Sequence, residues 1–396
     1  SQDSKANPYN RFSASVNLGS SNYFRESLNQ INTPNFLNNT LNSSVSFSKT
    51  FRGYPSVNIS LTASHSQNTR SKTVNLVLPT FQGNVERVYP FVKKNGQKKG
   101  FFKNINLQYS FRGENRINTT DSLFFKKGMF DDAKYGMKHS IPVSTNFKVL
   151  KHLSVSMNGN FDEIWTGNTI NRTDYNISNQ QQSEKIKIKG FDRFNQYDFG
   201  MSVGTTIYGL FNFKENSKIQ SIRHVIRPSV SYNIRPSFKK YYDTYIIDAD
   251  GNTAEYTRFE DNFFGLPSKM YSSSIGLQIS NNLEAKVKDK DSLATEPKKV
   301  TILNNLNIST NYNLAVDSLK LSPIRMSTGT NLFKNKLNVN LSATFDAYAL
   351  SDSGLRINKL NISNGGSLLR MTSANMNMNF SINSKSLKSK NKEENS

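Results

Sequence analysis

The sequence predicts an all-β protein, an antiparallel transmembrane β-barrel of the outer-membrane type. Apolar and polar residues alternate in segments such as Ser56–Ser64 (SVNISLTAS), Leu153–Phe161 and Ala374–Ile382, and this period of two is typical of strands with one apolar and one polar face. The polar positions are mostly Asn and Ser, whereas the outer surface of a soluble sandwich would be rich in charge. Lipid on one side of the sheet and a wet lumen on the other would produce this pattern.

About fourteen strands follow from the alternation, and several have the ten or so residues that a tilted strand needs to cross a bilayer. In chain order the predicted strands are Arg11–Leu18, Leu41–Phe51, Ser56–His65, Lys72–Leu78, Phe101–Phe111, Val143–Val149, Leu153–Phe161, Phe199–Phe213, His224–Ile234, Tyr271–Val287, Thr301–Val316, Pro323–Thr330, Leu337–Phe345 and Thr372–Ile382.

Tight connections stand between long ones, as in outer-membrane barrels with short turns on one rim and long loops on the other. The tight connections include Arg52–Pro55, Leu150–His152 and Asp317–Leu321. The predicted long connections include Gly113–Pro142, Asp162–Gln196 and Pro236–Met270.

Residues 1–384 are expected to form one barrel region, and residues 385–396 a charged, disordered tail. Outer-membrane barrels usually end on an apolar strand with a terminal aromatic residue, whereas this chain ends SKSLKSKNKEENS. We therefore expect an incomplete, central portion of a barrel, with its long loops. No run of about 18 apolar residues indicates a transmembrane helix.

Composition leaves three interpretations of the charge open, because the net charge of the 396 residues is +22. The excess of cations indicates a nucleic-acid partner, a partner with anionic lipid headgroups, or solvated basic loops with no partner. The basic clusters contain lysines that we place in connections and match no nucleic-acid signature, so binding of nucleic acid is not expected. They comprise Lys93, Lys94, Lys98, Lys99, Lys185, Lys187, Lys189 and Lys385–Lys392. Cysteine is absent, which excludes disulfides and thiolate metal sites.

Motifs that suggest enzymatic or metal chemistry lack their required context. Gly200–Gly204 matches G-x-S-x-G around Ser202, but the residues that follow continue a strand instead of turning into a helix. The four histidines are scattered singly, and Asp248–Asn252 lacks the Gly and Glu that a calcium loop needs. We expect a turn at Asp250-Gly251, no enzyme activity, no metal and no cofactor.

Three arginines are candidate ligand-binding residues. In RHVIRPSVSYNIR, alternation places Ile226, Val230 and Tyr232 on one face and Arg223, Arg227 and Arg235 on the other. If the apolar face meets lipid, the guanidinium groups point into the lumen. There they would pair with carboxylates or bind phosphates and sugars of an anionic glycolipid.

Several stretches resemble the barrel region of the LptD family, in particular its Bacteroidetes branch, over nearly the whole chain and in the same order. They are Asn75–Phe91, Ile222–Phe238, Ser280–Lys288, Ile302–Ile324, Leu341–Leu350 and Leu368–Ser381. The resemblance implies an outer-membrane lipopolysaccharide-assembly protein. Such a protein receives lipopolysaccharide from a periplasmic Lpt bridge through a jellyroll, and passes it through a gate between its first and last strands.

The resemblance also implies a lipoprotein plug similar to LptE and contact with membrane lipids. Two departures limit it. The jellyroll and the first and last barrel strands are not recognised in this sequence, so we expect the gate to lie outside it. The chain also has no cysteine for the disulfides that couple jellyroll and barrel in better-known members.

The sequence-based hypothesis is a translocon component of the Gram-negative outer membrane, which moves lipopolysaccharide through a barrel lumen into the outer leaflet. The alternative is a porin or receptor-type channel without lipopolysaccharide transport. A third class, an outer-membrane hydrolase using Ser202 or a histidine, lacks a base and an oxyanion hole in the sequence.

Overall fold

The computed structural model describes residues 7–20, 40–93, 96–214, 217–288, 298–332 and 336–380. The predicted tail at residues 385–396 and the lysines of Lys385–Lys392 lie outside these ranges, as does Lys94. None of the helices in the described residues is long and apolar enough to cross a membrane.

Fifteen strands of the described residues form one antiparallel sheet, as the alternating sequence predicts. They are β1 (Asn10–Ser15), β2 (Thr40–Phe51), β3 (Val57–Asn68), β4 (Thr73–Val88), β5 (Asn106–Thr120), β6 (Lys134–Val149), β7 (Leu153–Arg172), β8 (Lys185–Gly204), β9 (Ile207–Asn212), β10 (Ile219–Arg235), β13 (Ser272–Val287), β14 (Lys298–Asn313), β15 (Ile324–Leu332), β16 (Leu337–Asp346) and β19 (Arg370–Phe380).

Neighbours in the sheet follow chain order from β1 to β8, then β10, β13 to β16 and β19, while β9 pairs with β10 beside this path. Two hairpins stand apart: β11 (Tyr242–Ile246) with β12 (Thr253–Thr257), and β17 (Tyr348–Leu350) with β18 (Arg356–Leu360). In the described residues β1 and β19 do not pair with each other. The sheet is therefore all-antiparallel and open, which confirms the prediction of an incomplete barrel.

Short helices occur only in connections among the described residues. Helix α1 (Gly100–Asn104) precedes β5, and α2 (Lys127–Asp131) lies between β5 and β6. Single 3-10 turns span Asp121–Leu123, Lys239–Tyr241 and Ile362–Asn364.

The sheet contributes to two compact units. The first comprises Ser1–Thr145, Asn158–Phe199 and Pro236–Tyr271, and the second comprises Asn146–Met157, Gly200–Arg235 and Ser272–Ser396. Strands β6, β7 and β8 supply residues to both. That residues 1–384 form a single barrel region stays a prediction.

Four central strands are longer than the sequence indicates. Strands β7 and β8 have 20 residues each, and β5 and β6 have 15 and 16. The predicted long connections Gly113–Pro142 and Asp162–Gln196 are therefore wrong. In β7, Ile164, Thr166 and Gly167–Ile170 are all buried, so both faces of this stretch are covered and the alternation that marks a strand is lost.

Two further sequence assignments change. Lys185, Lys187 and Lys189 lie in β8 instead of a connection, and the predicted strand Phe199–Phe213 is the end of β8 followed by β9. Gly200–Gly204 forms the end of β8, as the continuing alternation predicts. Asp250-Gly251 forms the expected turn between β11 and β12, where Gly251 has a φ of 77°.

Cross-strand register sorts side chains onto two faces in the first unit. A continuous row of directly opposed residues, here called the apolar row, crosses β1 to β6, and the row one position away is polar. The apolar row is Phe12, Phe47, Leu61, Phe81, Gly113 and Met137. Leu61 is 47% exposed, so the described residues leave this part of the face uncovered.

The second unit repeats the same separation across β10, β13, β14, β15, β16 and β19. One row of opposed residues runs through Arg227, Ser280, Asn307, Ser327, Ser342 and Asn375. On the other face, Leu306, Thr328, Leu341 and Met376 oppose one another, and Met376 is 60% exposed. Each unit therefore has one polar face and one exposed apolar face.

The connection between β16 and β19 is organised by one buried carboxylate. Asp346 is 2% exposed, and its Oδ2 lies 2.7 Å from Arg356 Nε and 3.5 Å from Arg370 Nη2. Its Oδ1 accepts a hydrogen bond from the backbone N–H of Tyr348 at 3.0 Å. Two arginines and a backbone donor thus satisfy a charge that would be costly to bury alone.

Glycines in the first unit make room for aromatic rings of neighbouring strands. Gly83 is opposite Phe111, and a Cβ on Gly83 would overlap that ring. A Cβ on Gly167 would overlap the ring of Tyr135. Glycine at these two places lets an aromatic side chain lie flat over the backbone of the next strand.

We expect Gly167→Ala to destabilise the fold by about 1–3 kcal/mol, because Tyr135 must move to admit the methyl group. Unfolding of the protein in detergent micelles, followed in urea, measures the effect. Gly159→Ala in the same strand is the matched control, since its Cβ would meet only Asp198 O at 3.7 Å. Equal stability of the two variants would contradict this account.

Candidate functional site

The polar face of the first unit carries a row of residues that ends in cations. Strand pairing opposes Arg11, Ser48, Ser60, Gln82, Arg112 and Lys138 in succession, and these six residues are here called the polar row. A second row beside it contains Thr50, Asn58, Asn84, Ser110 and Ser140. Both rows line one cavity of about 630 Å³.

Two carboxylates position the cations beside this cavity. Glu114, whose side chain is 1% exposed, accepts hydrogen bonds from Arg112 Nε and, at 2.6 Å, from Arg116 Nε. Asp162 lies 2.9 Å from Lys138 Nζ and accepts a hydrogen bond from Ser140 Oγ at 2.6 Å. Such charge-assisted contacts fix the side chains in space.

Sequence reasoning missed Arg11, Arg112 and Lys138. The available signal was FRGENR at Phe111–Arg116, where Arg112, Glu114 and Arg116 alternate within a strand. Most of this stretch lies in the predicted long connection Gly113–Pro142, whereas the structure places it in strand β5. Arg11 and Lys138 join Arg112 only through pairing of strands far apart in sequence.

The three predicted arginines lie on one face of β10. Arg223, Arg227 and Arg235 oppose Glu284, Ser280 and Ser272 of β13, and no bulge interrupts the pairing between them. All three are exposed. Their role in ligand binding stays a prediction.

A carboxylate serves Arg223 as an ion-pair partner. Glu284 Oε2 lies 3.7 Å from Arg223 Nη1 and 3.3 Å from Lys299 Nζ. Arg223 also lies over the ring of Tyr208, 5.6 Å from its centroid. Arg227 opposes only a serine, so the three arginines differ in their surroundings.

The connection at residues 236–271 folds back onto the polar face of the first unit. Phe263 lies under the guanidinium of Arg116, at 4.3 Å from the ring centroid. Phe259 is fully buried in a cluster with Ile164 of β7 and Phe194 of β8. This apolar contact holds the connection over the sheet.

Ion pairs surround that apolar contact. They join Arg258 to Asp192 at 2.6 Å, Arg172 to Glu260 at 2.9 Å, and Lys185 to Asp261 at 2.8 Å. Lys134 Nζ lies 3.7 Å from Asp261. Burial alone would raise the pKa of Asp261, but the hydrogen bond from Lys185 and the charges of Lys134 and Lys185 outweigh it and lower the pKa.

An aromatic band crosses the apolar face of the first unit. Phe81 and Phe111 have ring centroids 4.9 Å apart, and Tyr109 Oη is 2.7 Å from His139 Nδ1. His139 contacts the ring of Trp165 at 4.3 Å, and Trp165 contacts Phe191 at 5.7 Å. Aromatic girdles of this kind mark the membrane–water interface of outer-membrane barrels.

The polar edge of the band is an ion pair. Trp165 Nε1 donates a hydrogen bond to Glu163 Oε1 at 2.9 Å, and Arg193 Nη1 lies 2.8 Å from the same oxygen. Trp carries an apolar body and a polar N–H, which suits a level where hydrocarbon gives way to headgroups.

A family model described as LptD protein matches residues 1–348 of the chain. The chain belongs to the LptD family. This membership confirms the resemblance noted in the sequence. The family is one of lipopolysaccharide transport and assembly proteins.

Among solved structures, this LptD-family chain is similar to a double mutant of the Serratia marcescens hemophore receptor HasR in complex with its hemophore HasA and heme. The identity is 10%, the TM-score is 0.28, and the match covers 77% of this chain and 62% of the receptor chain. The chain thus spans less than two thirds of that receptor. The comparison with curated proteins found no match.

Metal ligands are not gathered into a site in the described part of this LptD-family chain. No group of three or more His, Asp or Glu residues there has metal-binding geometry. Asp248, at the predicted turn, uses its carboxylate to accept hydrogen bonds from Asn252 and from the backbone of Asp250.

Acid is expected to loosen connection 236–271 from the sheet. Because the pKa of Asp261 is lowered on folding, its contribution is present above the unfolded value of about 3.9 and is lost as pH falls through the folded value. Limited pepsin cleavage of the protein in micelles should therefore increase within this connection as pH falls below about 4.

The variant Asp261→Asn assigns the effect to this residue. It should raise cleavage of the connection by a neutral protease at pH 7, where the wild-type connection is protected. Asp250→Asn at the tip of the same connection is the control and should leave cleavage unchanged. Equal protection of Asp261→Asn and wild type would contradict a docking role for Asp261.

Proposed function

We propose that this protein is a component of an outer-membrane lipopolysaccharide translocon of a Gram-negative cell. The observation that carries the proposal is the match of residues 1–348 to the LptD family, whose members serve lipopolysaccharide transport and assembly. In this proposal the polar face lines a wet lumen that accepts the glycan. The apolar face meets lipid, and the acyl chains reach the outer leaflet.

Side-chain sorting supports a lipid-facing sheet. Large apolar residues such as Phe47, Leu61 and Leu277 are more than two-fifths exposed, while Ser and Asn occupy the opposite face. A continuous exposed apolar surface of this kind is costly in water and favourable in hydrocarbon. The aromatic band marks one interface of that hydrocarbon layer.

Chain order supports an orientation in the membrane. Because successive strands are antiparallel, connections alternate between two ends of the sheet. Within the first unit, one end has the connections 121–133, 173–184 and 236–271 together with the short turn 69–72, and the other has the short turn 52–56 and the connection 89–105. Long loops of outer-membrane barrels face the cell exterior, so connection 236–271 would be external and the cavity's end of the polar row periplasmic.

Partners belong to the same proposal. Lipopolysaccharide would be the cargo, a periplasmic Lpt bridge would deliver it, and a lipoprotein similar to LptE would plug the lumen. Membrane lipids would contact the apolar face, and nucleic acid is not a partner in this proposal.

Depletion in cells tests the transport role. Loss of the protein should lower lipopolysaccharide at the cell surface and raise it in inner compartments, as measured by surface labelling and fractionation. Normal surface levels after depletion would exclude the role. In that case, steady ion conductance of the intact protein in planar bilayers would favour the porin or receptor-type channel.

The arginines of β10 test the polar face. Replacing Arg223, Arg227 and Arg235 together by Gln should reduce photocrosslinking between lipopolysaccharide and the barrel by several-fold, because bidentate contacts to phosphates are lost. Lys99, Lys103 and Lys126 replaced by Gln form a control with the same change in net charge. Crosslinking of the Arg variant equal to that of wild type would contradict a role of the three arginines in binding lipopolysaccharide.

A further inference from the structure

We propose that the 630 Å³ cavity at the polar row is a binding site for anionic sugars, in which Arg11, Arg112 and Lys138 are the cations of the polar row. The proposal rests on the proposed function, because it names the part of the cargo that this site would hold. The shared ligand chemistry is a saccharide that bears a phosphate or a carboxylate. The volume of the cavity falls within the range of about 300–1,000 Å³ typical of small-molecule sites.

Charge around the cavity is incompletely neutralised. Four cations, Arg11, Lys49, Arg112 and Lys138, are among the residues that line the cavity, and none of the lining residues is a carboxylate. Glu114 and Asp162 lie beside the cavity and pair with Arg112 and Lys138. Glu114 is shared by two arginines, and Arg11 has no ion-pair partner among the residues that the structure describes. An anion would therefore gain a net attraction in this concave surface.

Arg112 is held in a position that leaves the two terminal nitrogens of its guanidinium group available to a ligand. Its bond to the buried Glu114 uses Nε, so Nη1 and Nη2 remain for a ligand, and its side chain is 56% exposed. A planar guanidinium with two parallel N–H groups suits the bidentate recognition of phosphate and carboxylate. Because Glu114 already orders the side chain, less rotamer freedom is lost on binding.

The floor of the cavity suits sugar hydroxyls. Between Arg11 and Arg112 the polar row supplies the side chains of Ser48, Ser60 and Gln82, and the neighbouring row supplies Asn58 and Asn84. Hydroxyl and amide groups both donate and accept hydrogen bonds, as sugar hydroxyls do. Cations at both ends of an uncharged polar floor fit a saccharide that carries charged substituents.

The cavity and the covering connection occupy different ends of the same strands. Thr50, Asn58 and Asn84 lie where 52–56 and 89–105 join the strands, whereas connection 236–271 contacts Arg116 near the opposite end of β5. In the proposed orientation a glycan arriving from the periplasm would meet the cations of the polar row before it meets connection 236–271.

Isothermal titration of the intact protein in detergent micelles tests the site with three disaccharide probes. One probe carries a phosphate, one a uronic acid, and one is neutral. We expect at least one charged probe to bind on the order of tenfold more tightly than the neutral one, with affinity that falls as salt is raised. Binding of only one charged probe identifies the source of the anion.

The variant Arg11→Gln/Arg112→Gln/Lys138→Gln should weaken that binding by on the order of tenfold or more. The control Lys99→Gln/Lys103→Gln/Lys126→Gln removes the same charge from exposed positions in connections and should bind as wild type does. Equal losses in the two variants, equal affinity for the neutral probe, or no binding of either charged probe would overturn the site.

If the triple variant does not fold, Arg11→Gln decides, since Arg11 has no ion-pair partner in the described residues and its loss should weaken binding several-fold. Unchanged affinity of this variant would overturn the site. Binding to purified protein does not depend on transport. Normal surface lipopolysaccharide after depletion would therefore reject the proposed function and leave the binding result intact.

Discussion

Hydrocarbon offers no hydrogen bonds, so a strand that meets it must satisfy its backbone N–H and C=O groups through neighbouring strands. The long antiparallel sheet from β1 to β19 meets this constraint, because each inner strand pairs on both sides. Once the backbone is paired, side chains divide by parity between two faces. The exposed apolar row of the first unit and the polar row beside it are direct consequences.

The polar face shows how charge is accommodated on such a sheet. Glu114 is buried but bonded to two arginines, and Asp162 is bonded to Lys138 and Ser140. These ion pairs lower the free-energy cost of removing a carboxylate from water, and they also fix the orientation of the cationic side chains. A face built mainly of Ser and Asn thereby presents a few arginines and lysines at defined positions.

Connection 236–271 combines two kinds of contact with different physical behaviour. The cluster of Phe259, Ile164 and Phe194 is apolar and independent of pH, while the ion pairs of Glu260 and Asp261 respond to salt, and those of Asp261 also respond to pH. The apolar cluster therefore anchors connection 236–271 at its centre, while the strength of the surrounding ion pairs varies with the solution conditions. In the first unit this segment and the cationic cavity share one polar face.

Fold class, approximate strand number and the parity of the faces were determined by the sequence alone, because the period of two is a local property of each strand. Val57, Ile59 and Leu61 point to one side whatever their neighbours do. The common face of Arg223, Arg227 and Arg235 was predictable for the same reason. Family membership was also readable from matched stretches in their order.

Register and burial by distant segments were decided only by the tertiary structure. Backbone hydrogen bonds are chemically alike at every register, so nothing local to Arg11, Arg112 or Lys138 shows that pairing of six strands aligns them. The stretch Ile164–Ile170 looked like a loop because connection 236–271 covers its second face and removes the alternation. Local pattern specifies which way a side chain points, and only the assembled sheet specifies what it points at.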